Sequence, residues 1–361
     1  MNKIISSDMN MLIENCPYVD DFKNKTVLIT GATGLIAKNL TYFFLELNKQ
    51  KNTNVKVLAL VRNLEKSQKV FVDYLDHENF ELLVQDVCEP INYDGDVDYI
   101  FHAAGSCSAH AIKTNPVGII KANTLGTTNV LDFAKDKNVK NVVFPSTREI
   151  YGKVEGVDKI DESTMGTLDP LNFRNCYPES KRLAEAIFRS YYEQYNIPFT
   201  ILRIAHTYGP TMEINNDGRV MSDFVGFVVR GENIVLNSDG TAVRAFCYVT
   251  DAINGILDVM VKGKIGEAYN LANETEPYMI RDVAQKLVSL YPEKGLEIVF
   301  TNPTDEIKKG YVGYKIVKLD TSKLESLGWK PVVELADGMK RTVDYFEEEK
   351  QLTRKLWLRR R

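Results

Sequence analysis

The apolar run Val27-Leu28-Ile29 passes directly into Thr30-Gly31-Ala32-Thr33-Gly34-Leu35-Ile36-Ala37, and no other stretch constrains the fold as tightly. It reads as a buried strand turning through glycines into a helix. Gly31 permits the tight turn, Gly34 lets the backbone approach a pyrophosphate without an intervening Cβ, and Ala37 is small enough for close helix packing. The unpaired N–H groups of the new helix, from Leu35 and Ile36 onward, then face the phosphates of a dinucleotide. A glycine turn alone also suits any strand-to-helix junction, so the reading needs a second element.

That element is Tyr177-Pro178-Glu179-Ser180-Lys181, continued by Leu183, Ala184, Ile187, Phe188 and Tyr191 at helical spacing. Tyr177 and Lys181 therefore fall one turn apart on one face. A phenol titrates near ~10 and an adjacent ammonium favours the phenolate, so the pair is expected to shuttle protons near neutrality. The strand Val142-Val143-Phe144-Pro145 delivers Ser146 and Thr147 at its end, where open α/β sheets place ligand chemistry. Thr147 is expected to share a substrate hydroxyl with Tyr177. The same spacing recurs at Tyr311 and Lys315, but among Gly310 and Gly313, where no helix is expected. Taken singly, Tyr177 and Lys181 also fit an ordinary surface helix start; the glycine turn and Thr147 argue against it.

Strand-like runs at 27–30, 57–61, 81–84, 99–102, 142–145 and 199–204 alternate with helical ones, which predicts an α/β protein with a doubly wound, Rossmann-type parallel sheet. Basic and acidic residues nearly balance, 45 against 49, with no long basic block, so nucleic-acid binding has no support. The basic tail from Arg354 to Arg361 reads as a solvated terminal helix, with a membrane-surface contact as the alternative. Five scattered cysteines suggest a reducing cytoplasm, and four scattered histidines make no metal pattern. No run approaches the ~20 apolar residues of a membrane span, and Met1 to Asn10 lacks a signal-peptide core.

With these motifs in place, the chain resembles the extended short-chain dehydrogenases/reductases of the NAD-dependent epimerase/dehydratase type, which act on nucleotide sugars. The likeness runs from about Lys23 to Lys330. It rests on the glycine turn, Gln85-Asp86-Val87, Phe101-His102-Ala103-Ala104, Asn115-Pro116 with Asn123-Thr124-Leu125-Gly126-Thr127, and Ser146-Thr147-Arg148-Glu149-Ile150-Tyr151-Gly152. It continues through Tyr177 with Lys181, Arg203, Tyr208-Gly209-Pro210 and Arg244-Ala245-Phe246-Cys247-Tyr248-Val249-Thr250-Asp251. Residues 1–22 precede the first strand and are expected to form a helical extension, and the resemblance implies a Rossmann domain at 23–205, to which 241–266 returns. It further implies a smaller C-terminal substrate-binding domain at 206–240 and 267–345, ahead of the tail at 346–361. It also implies a homodimer through helices near Val117–Lys135 and Tyr177–Tyr195, whose apolar positions equally suit burial within one chain.

For the cofactor, the resemblance assigns Gly31, Thr33, Gly34, Leu35 and Ile36 to the phosphates, and Asp86 and Val87 to the adenine. It places Ala103, Ala104 and Gly105 under the phosphates and adds Asn123, Tyr177 and Lys181 to the binding set. His102 reads as a strand-end core residue. The strand Val57–Val61 ends in Arg62, where a free ribose 2′-hydroxyl usually meets an acidic residue; an arginine suits a 2′-phosphate. NADP(H) is therefore expected over NAD(H), although Arg62 also fits stacking on adenine or pointing to solvent.

For the substrate, Arg203, Arg219 and Arg244 lie beyond the cofactor strands, and two guanidinium forks can grip a diphosphate; each alone also fits a surface ion pair. The segment from Met212 to Val220 and Cys176–Arg182 are similar to the base-binding loop and helix start of UDP-glucuronate decarboxylases. The implied catalytic set is Thr147, Glu149, Tyr177 and Lys181, with Arg148, His206, Arg219, Val220 and Arg244 toward the substrate. Dehydratases of this type carry an aspartic acid where Arg148 stands, and arginine cannot act as an acid at neutral pH, so dehydration is disfavoured. Arg148 replaces a small serine of the decarboxylases and His206 an asparagine. Arg148 is left with three readings: a partner for a substrate carboxylate, for an extra phosphate, or a side chain turned away.

Three functions are weighed. The first is a redox-neutral decarboxylase or epimerase working through a transient 4-keto sugar, in precursor synthesis for a surface or capsule polysaccharide. The second is an NADPH-dependent reductase of a nucleotide-activated keto sugar or ketose, giving for instance an activated sugar alcohol. The third is a dinucleotide-sensing regulator, which has no use for a phenol and an ammonium one turn apart.

Overall fold

The computed structural model describes residues 1–215, 217–302 and 317–359, with side chains through 352. Seven parallel strands form the central sheet: β1 (Thr26–Thr30), β2 (Lys56–Val61), β3 (Phe80–Val84), β4 (Tyr99–His102), β5 (Asn141–Thr147), β6 (Phe199–Ile204) and β7 (Glu267–Leu271). Their order is β7-β6-β5-β4-β1-β2-β3. The helices that matter below are α1 (Lys3–Glu14), α2 (Leu35–Lys51), α3 (Leu64–Val70), α4 (Pro116–Lys137), α5 (Cys176–Tyr195), α6 (Val220–Arg230), α7 (Val249–Lys262), α8 (Ile280–Ser289) and α9 (Leu335–Arg359).

The chain runs outward from β1 to β3 and then crosses back to β4 on the other side of β1. Winding reverses there, and the crevice beyond the carboxyl ends of β1 and β4 is where such sheets hold ligands. Strands β1, β2 and β5 are almost wholly buried because both faces are covered, which explains their continuous rather than alternating hydrophobicity. One core, built on Val27, Ile29, Val57, Ala59, Phe43 and Phe44, lies on one side of the sheet; another, with Leu28, Leu58, Ile100, Val142 and Phe188, lies on the other.

The six expected strands all form. β5 extends to Thr147 because Ser146 and Thr147 continue the ladder opposite Arg203 and Ile204. The seventh strand corrects the expected boundary at 267: Glu267–Leu271 pairs with Thr200–Ile204 in the main sheet. This short edge segment, Glu-Ala-Tyr-Asn-Leu, carries no apolar run, and only its ladder with β6 defines it. Trp329 likewise returns to the Rossmann core, donating from Nε1 to the Asp251 carbonyl at 2.8 Å. The smaller lobe packs α6, α8 and α9 around Phe224, Val225, Val228, Val283, Leu287, Met339 and Val343.

The first residues form a helix that locks both parts together. α1 buries Ile5, Met9, Leu12 and Ile13, each worth roughly 1.5–3 kcal/mol when fully removed from water. On the same face the buried Asp8 carboxylate accepts from the Tyr248 hydroxyl at 2.7 Å and the Arg341 guanidinium at 2.9 Å. Burial raises the Asp8 carboxyl, and these two donors act against that rise. No helix among the described residues is long and apolar enough to cross a membrane. The side chains of the basic tail from Arg354 onward, and the Tyr311–Lys315 repeat of the motif, lie outside the described residues.

Candidate active site

Gly31 holds φ +64°, and a Cβ there would lie 2.8 Å from the Ala103 oxygen and from the Ala104 Cα. No side chain fits such an approach, so the turn after β1 and the turn after β4 touch backbone to backbone. The Ala104 N–H donates to Thr30 Oγ1 at 3.1 Å, which ties the two turns together. Thr33, Leu35 and Ile36 follow, half-buried, with Gly34 as the residue before the first helical turn of α2. His102 sits beneath them between the hydroxyls of Thr30 at 2.9 Å and Thr127 at 3.2 Å; burial pushes it down to about 3, so it is a neutral core residue.

On α4, Asn123 donates from Nδ2 to Ser180 Oγ at 2.9 Å, while its buried Oδ1 has no partner among the described residues. A Cβ on Gly105 would stand 3.0 Å from that oxygen. A cradle lined by Gly31, Gly34 and Gly105 with an unsatisfied buried acceptor fits a dinucleotide, because a buried acceptor left unpaired costs about 1–3 kcal/mol until a ligand donor meets it. Val87 is buried against Gly126, and Asp86 accepts from the Cys88 N–H at 2.9 Å. Arg62, about three-quarters exposed, lies 3.9 Å from Asp86.

Tyr177 lies in the first turn of α5, and the Thr147 side chain at the end of β5 reaches its phenol closely enough to favour the phenolate. The two residues expected to share a hydroxyl are thus brought together. The expected depression of Tyr177 by Lys181 is not met. Burial pushes the phenol well above its ordinary value, with Cys107 and Glu149 adding to the rise; Thr147 and Arg219 pull it back, not Lys181. Lys181 instead donates to the Pro145 carbonyl at 2.8 Å and lies 4.1 Å from the Phe144 ring centroid. Burial brings its ammonium down to about 8, against the pull of Cys107 and Glu185. The local spacing correctly set the two side chains on one face; the dryness of that face was a tertiary matter.

Glu149 receives both arms of the Arg174 guanidinium, the longer at 3.0 Å. Arg174 is absent from the sequence-based site, although it stands just before Cys176 and Tyr177; only the fold brings it to Glu149. Cys107 is a second omission. This exposed thiol, on the turn after Gly105, lies near enough to Tyr177, Lys181 and Arg219 for its ionised form to act on all three.

Arg219 precedes α6, held by Asp217, and Val220 opens that helix, half-exposed against the smaller lobe's core. Arg244 donates to the Val243 carbonyl at 2.8 Å, and burial lowers it; among the described residues no carboxylate lies within ion-pair distance of it. Arg148 reaches across to the Val317 carbonyl at 2.8 Å. His206 is neutral: burial, with Arg148, Arg244 and Arg219 around it, pushes it down to about 3, and its buried Nδ1 has no partner among the described residues. Arg203 is corrected. It is consumed by Glu185 at 2.8 Å, the Tyr151 hydroxyl at 3.0 Å and the Glu162 carbonyl at 2.8 Å, and so braces the sheet rather than facing a diphosphate. Asn216 of the expected base-binding loop lies outside the described residues.

The model of the NAD-dependent epimerase/dehydratase family matches residues 27–272. Over 318 residues the chain is 35% identical to UDP-glucuronic acid decarboxylase 6 of Arabidopsis thaliana, covering 88% of this chain and 87% of that protein. It is 33% identical over 333 residues to UDP-glucuronic acid decarboxylase 1 of Danio rerio, covering 92% and 75%. Among solved structures, UDP-glucuronic acid 4-epimerase from Bacillus cereus, in complex with UDP-glucuronic acid and NAD, superposes with a TM-score of 0.75 at 22% identity, covering 90% of this chain and 99% of that one. An epimerase from Methanothermobacter thermautotrophicus gives 0.76 at 23%, covering 96% and 98%. At that identity the two structures speak for the fold.

Proposed function

This chain belongs to the NAD-dependent epimerase/dehydratase family, and from that premise we propose that it is a nucleotide-sugar-modifying enzyme, acting on UDP-glucuronate or a close relative by decarboxylation or epimerisation through a transient 4-keto sugar. The observation that carries the reading is the convergence of Thr147 and Tyr177 at the switch-point crevice, with Glu149 close enough to act on the phenol. The named relatives support the substrate class.

Gly31, Gly34, Ala104 and Gly105 would hold the cofactor's phosphates and Asn123 would meet a donor on it. A nicotinamide held there would supply reversible hydride acceptance, the chemistry by which a C4 ketone β to the C5 carboxylate becomes accessible. Tyr177 takes the hydroxyl proton and returns it, Thr147 orients that hydroxyl, and Lys181 steadies the charge beside them. Arg219 and Arg244 face the diphosphate as cations. His206 offers its unpaired Nδ1, and Arg148 is held at the Val317 carbonyl rather than at the phenol.

Glu149 works from a position set by Arg174. Arg174→Gln is expected to lower kcat by about ten- to a hundredfold, since small misplacements of a reacting group carry such losses, with the cofactor Kd unchanged and partial recovery in Arg174→Lys. A kcat equal to the parent's would show that Glu149 needs no such anchor.

NADP(H) is proposed over NAD(H) because Arg62 ends β2 where an acidic residue would otherwise read a 2′-hydroxyl. The same residue favours the second reading, a net reductase of a nucleotide-activated keto sugar, since NADPH is the reductant such a step consumes. Incubation with UDP-glucuronate and, separately, with a nucleotide-activated keto sugar, following carbon dioxide, epimerised product and NADPH absorbance, separates the two. Carbon dioxide or an epimer from UDP-glucuronate without NADPH loss is the expected result; stoichiometric NADPH loss with the keto sugar and no turnover of UDP-glucuronate overturns it. Tighter binding of NAD than NADP would reverse the cofactor assignment.

A homodimer is proposed through α4 and α5, supported by Val117, Leu125 and Leu183, which are 61%, 50% and 52% exposed on these paired helices. A cytoplasmic location and a role in surface polysaccharide precursor synthesis complete the proposal.

A further inference from the structure

Away from the catalytic crevice, α1, α2, α3 and α9 border a half-open cavity of about 530 Å³ to which Thr147, Tyr177 and Lys181 do not contribute. Its size falls within the ~300–1,000 Å³ typical of small-molecule sites. Its walls are Lys38 and Tyr42 from α2, Asn63, Lys66 and Lys69 around α3, Tyr74, and Met1, Asn2, Thr211, Tyr345 and Glu349 from the rest of the chain.

The charges around it are unevenly spent. Asp73 binds the N-terminal ammonium at 2.9 Å, Glu65 binds Lys69 at 2.6 Å, and Glu349 accepts from Asn2 at 3.1 Å. Each wall carboxylate therefore has a partner in the wall. Lys38 and Lys66 have no carboxylate within ion-pair distance among the described residues. Lys38 donates only to the Thr211 carbonyl, at a long 3.3 Å. Burial and the nearby Lys66 bring its ammonium down to about 8, with Glu213 acting weakly the other way. The half-buried Lys38 ammonium and the exposed Lys66 ammonium repel each other, and both would gain from one anion between them.

Thr211 adds a strained backbone to the same wall, a non-glycine residue at φ +71°. Strain of this kind persists where the surrounding structure enforces it, and it clusters at ligand sites. A phosphate monoester matches the two cations in charge, and the half-buried Tyr345 stands in the same wall.

We propose that this cavity recognises a phosphate monoester, its dianion seated between the Lys38 and Lys66 ammonium groups. The phosphate has two possible carriers. Asn63 directly follows Arg62 at the end of β2, so the 2′-phosphate of NADP is one; a free sugar phosphate, entering beneath the N-terminal segment, is the other. The proposal does not depend on which sugar reaction the crevice performs.

The full chain is titrated calorimetrically with ribose 5-phosphate while saturated with NAD, in the parent and in Lys38→Met, Lys66→Met and Arg219→Ala. Loss of affinity of about tenfold or more is expected in each lysine variant and none in Arg219→Ala, which reports the diphosphate end of the crevice. Kd values for NAD and NADP are measured on the same proteins. If the lysine variants weaken NADP alone, the phosphate belongs to the cofactor; if ribose 5-phosphate still binds the NADP-saturated parent, it belongs to a separate molecule. An unchanged NAD Kd in the lysine variants verifies their folding, which removal of a half-buried and an exposed charge does not threaten. The proposal is overturned if the parent binds neither ribose 5-phosphate nor NADP more tightly than the lysine variants do.

Discussion

Tyr177→Phe should lower turnover by about 10²–10⁴-fold, the range that a positioned acid–base group supplies, and leave cofactor binding intact. The substitution keeps the ring, which packs beside Ile112 and Ile119, and removes only the oxygen that Thr147 meets. The fold therefore has little reason to change. Because burial raises this phenol in the free chain, the proton-accepting form is scarce until a ligand's charges and donors fill the crevice, and the parent's kcat/KM should climb with pH through the neutral range. Retained turnover in Tyr177→Phe would remove Tyr177 from the chemistry, and with it the reading of the crevice as a catalytic one.

Lys181→Met tests the second member of the pair through stability as well as rate. Turnover should fall by about 10²-fold or more. The folded-state value of Lys181, about 8, lies below its ordinary 10.5, so the sign is opposite to that of a lysine gaining an ion partner. Below pH 8 the ammonium is charged in both states and its burial weakens the fold. Between pH 8 and 10.5 the unfolded chain keeps the proton that the folded chain releases, and stability rises with pH. The parent should therefore gain on the order of 3 kcal/mol relative to Lys181→Met across that window. At pH 7 the variant loses the Pro145 hydrogen bond but is freed of the buried charge, so it should unfold in urea at a similar or higher concentration. A difference between the two proteins that stays flat from pH 8 to 10.5 would show that Lys181 sits in water.

The N-terminal residues illustrate how little of the packing can be read locally. A helical extension is expected over 1–22, but its role depends on Asp8 meeting Tyr248 and Arg341, three residues spread over almost the whole chain. Arg203 shows the reverse. Its position at the end of β6 suited a ligand, yet Glu185 on α5 takes its Nε and one arm while Tyr151 and the Glu162 carbonyl take the other. Glu149 is legible as the residue two places beyond Thr147, while its anchor Arg174 belongs to another loop and has no pattern of its own.

What the sequence by itself determined was everything carried by short-range geometry. The glycine turn, the apolar strands, and the phenol and ammonium one helical turn apart are set by backbone sterics and periodicity, which act within a few residues. The tertiary structure alone decided which charges pair, how dry Tyr177 and Lys181 are, where the seventh strand joins, and that Lys38 and Lys66 face one cavity. Those properties depend on burial and on partners far apart in the chain, and both exist only once the layers have packed.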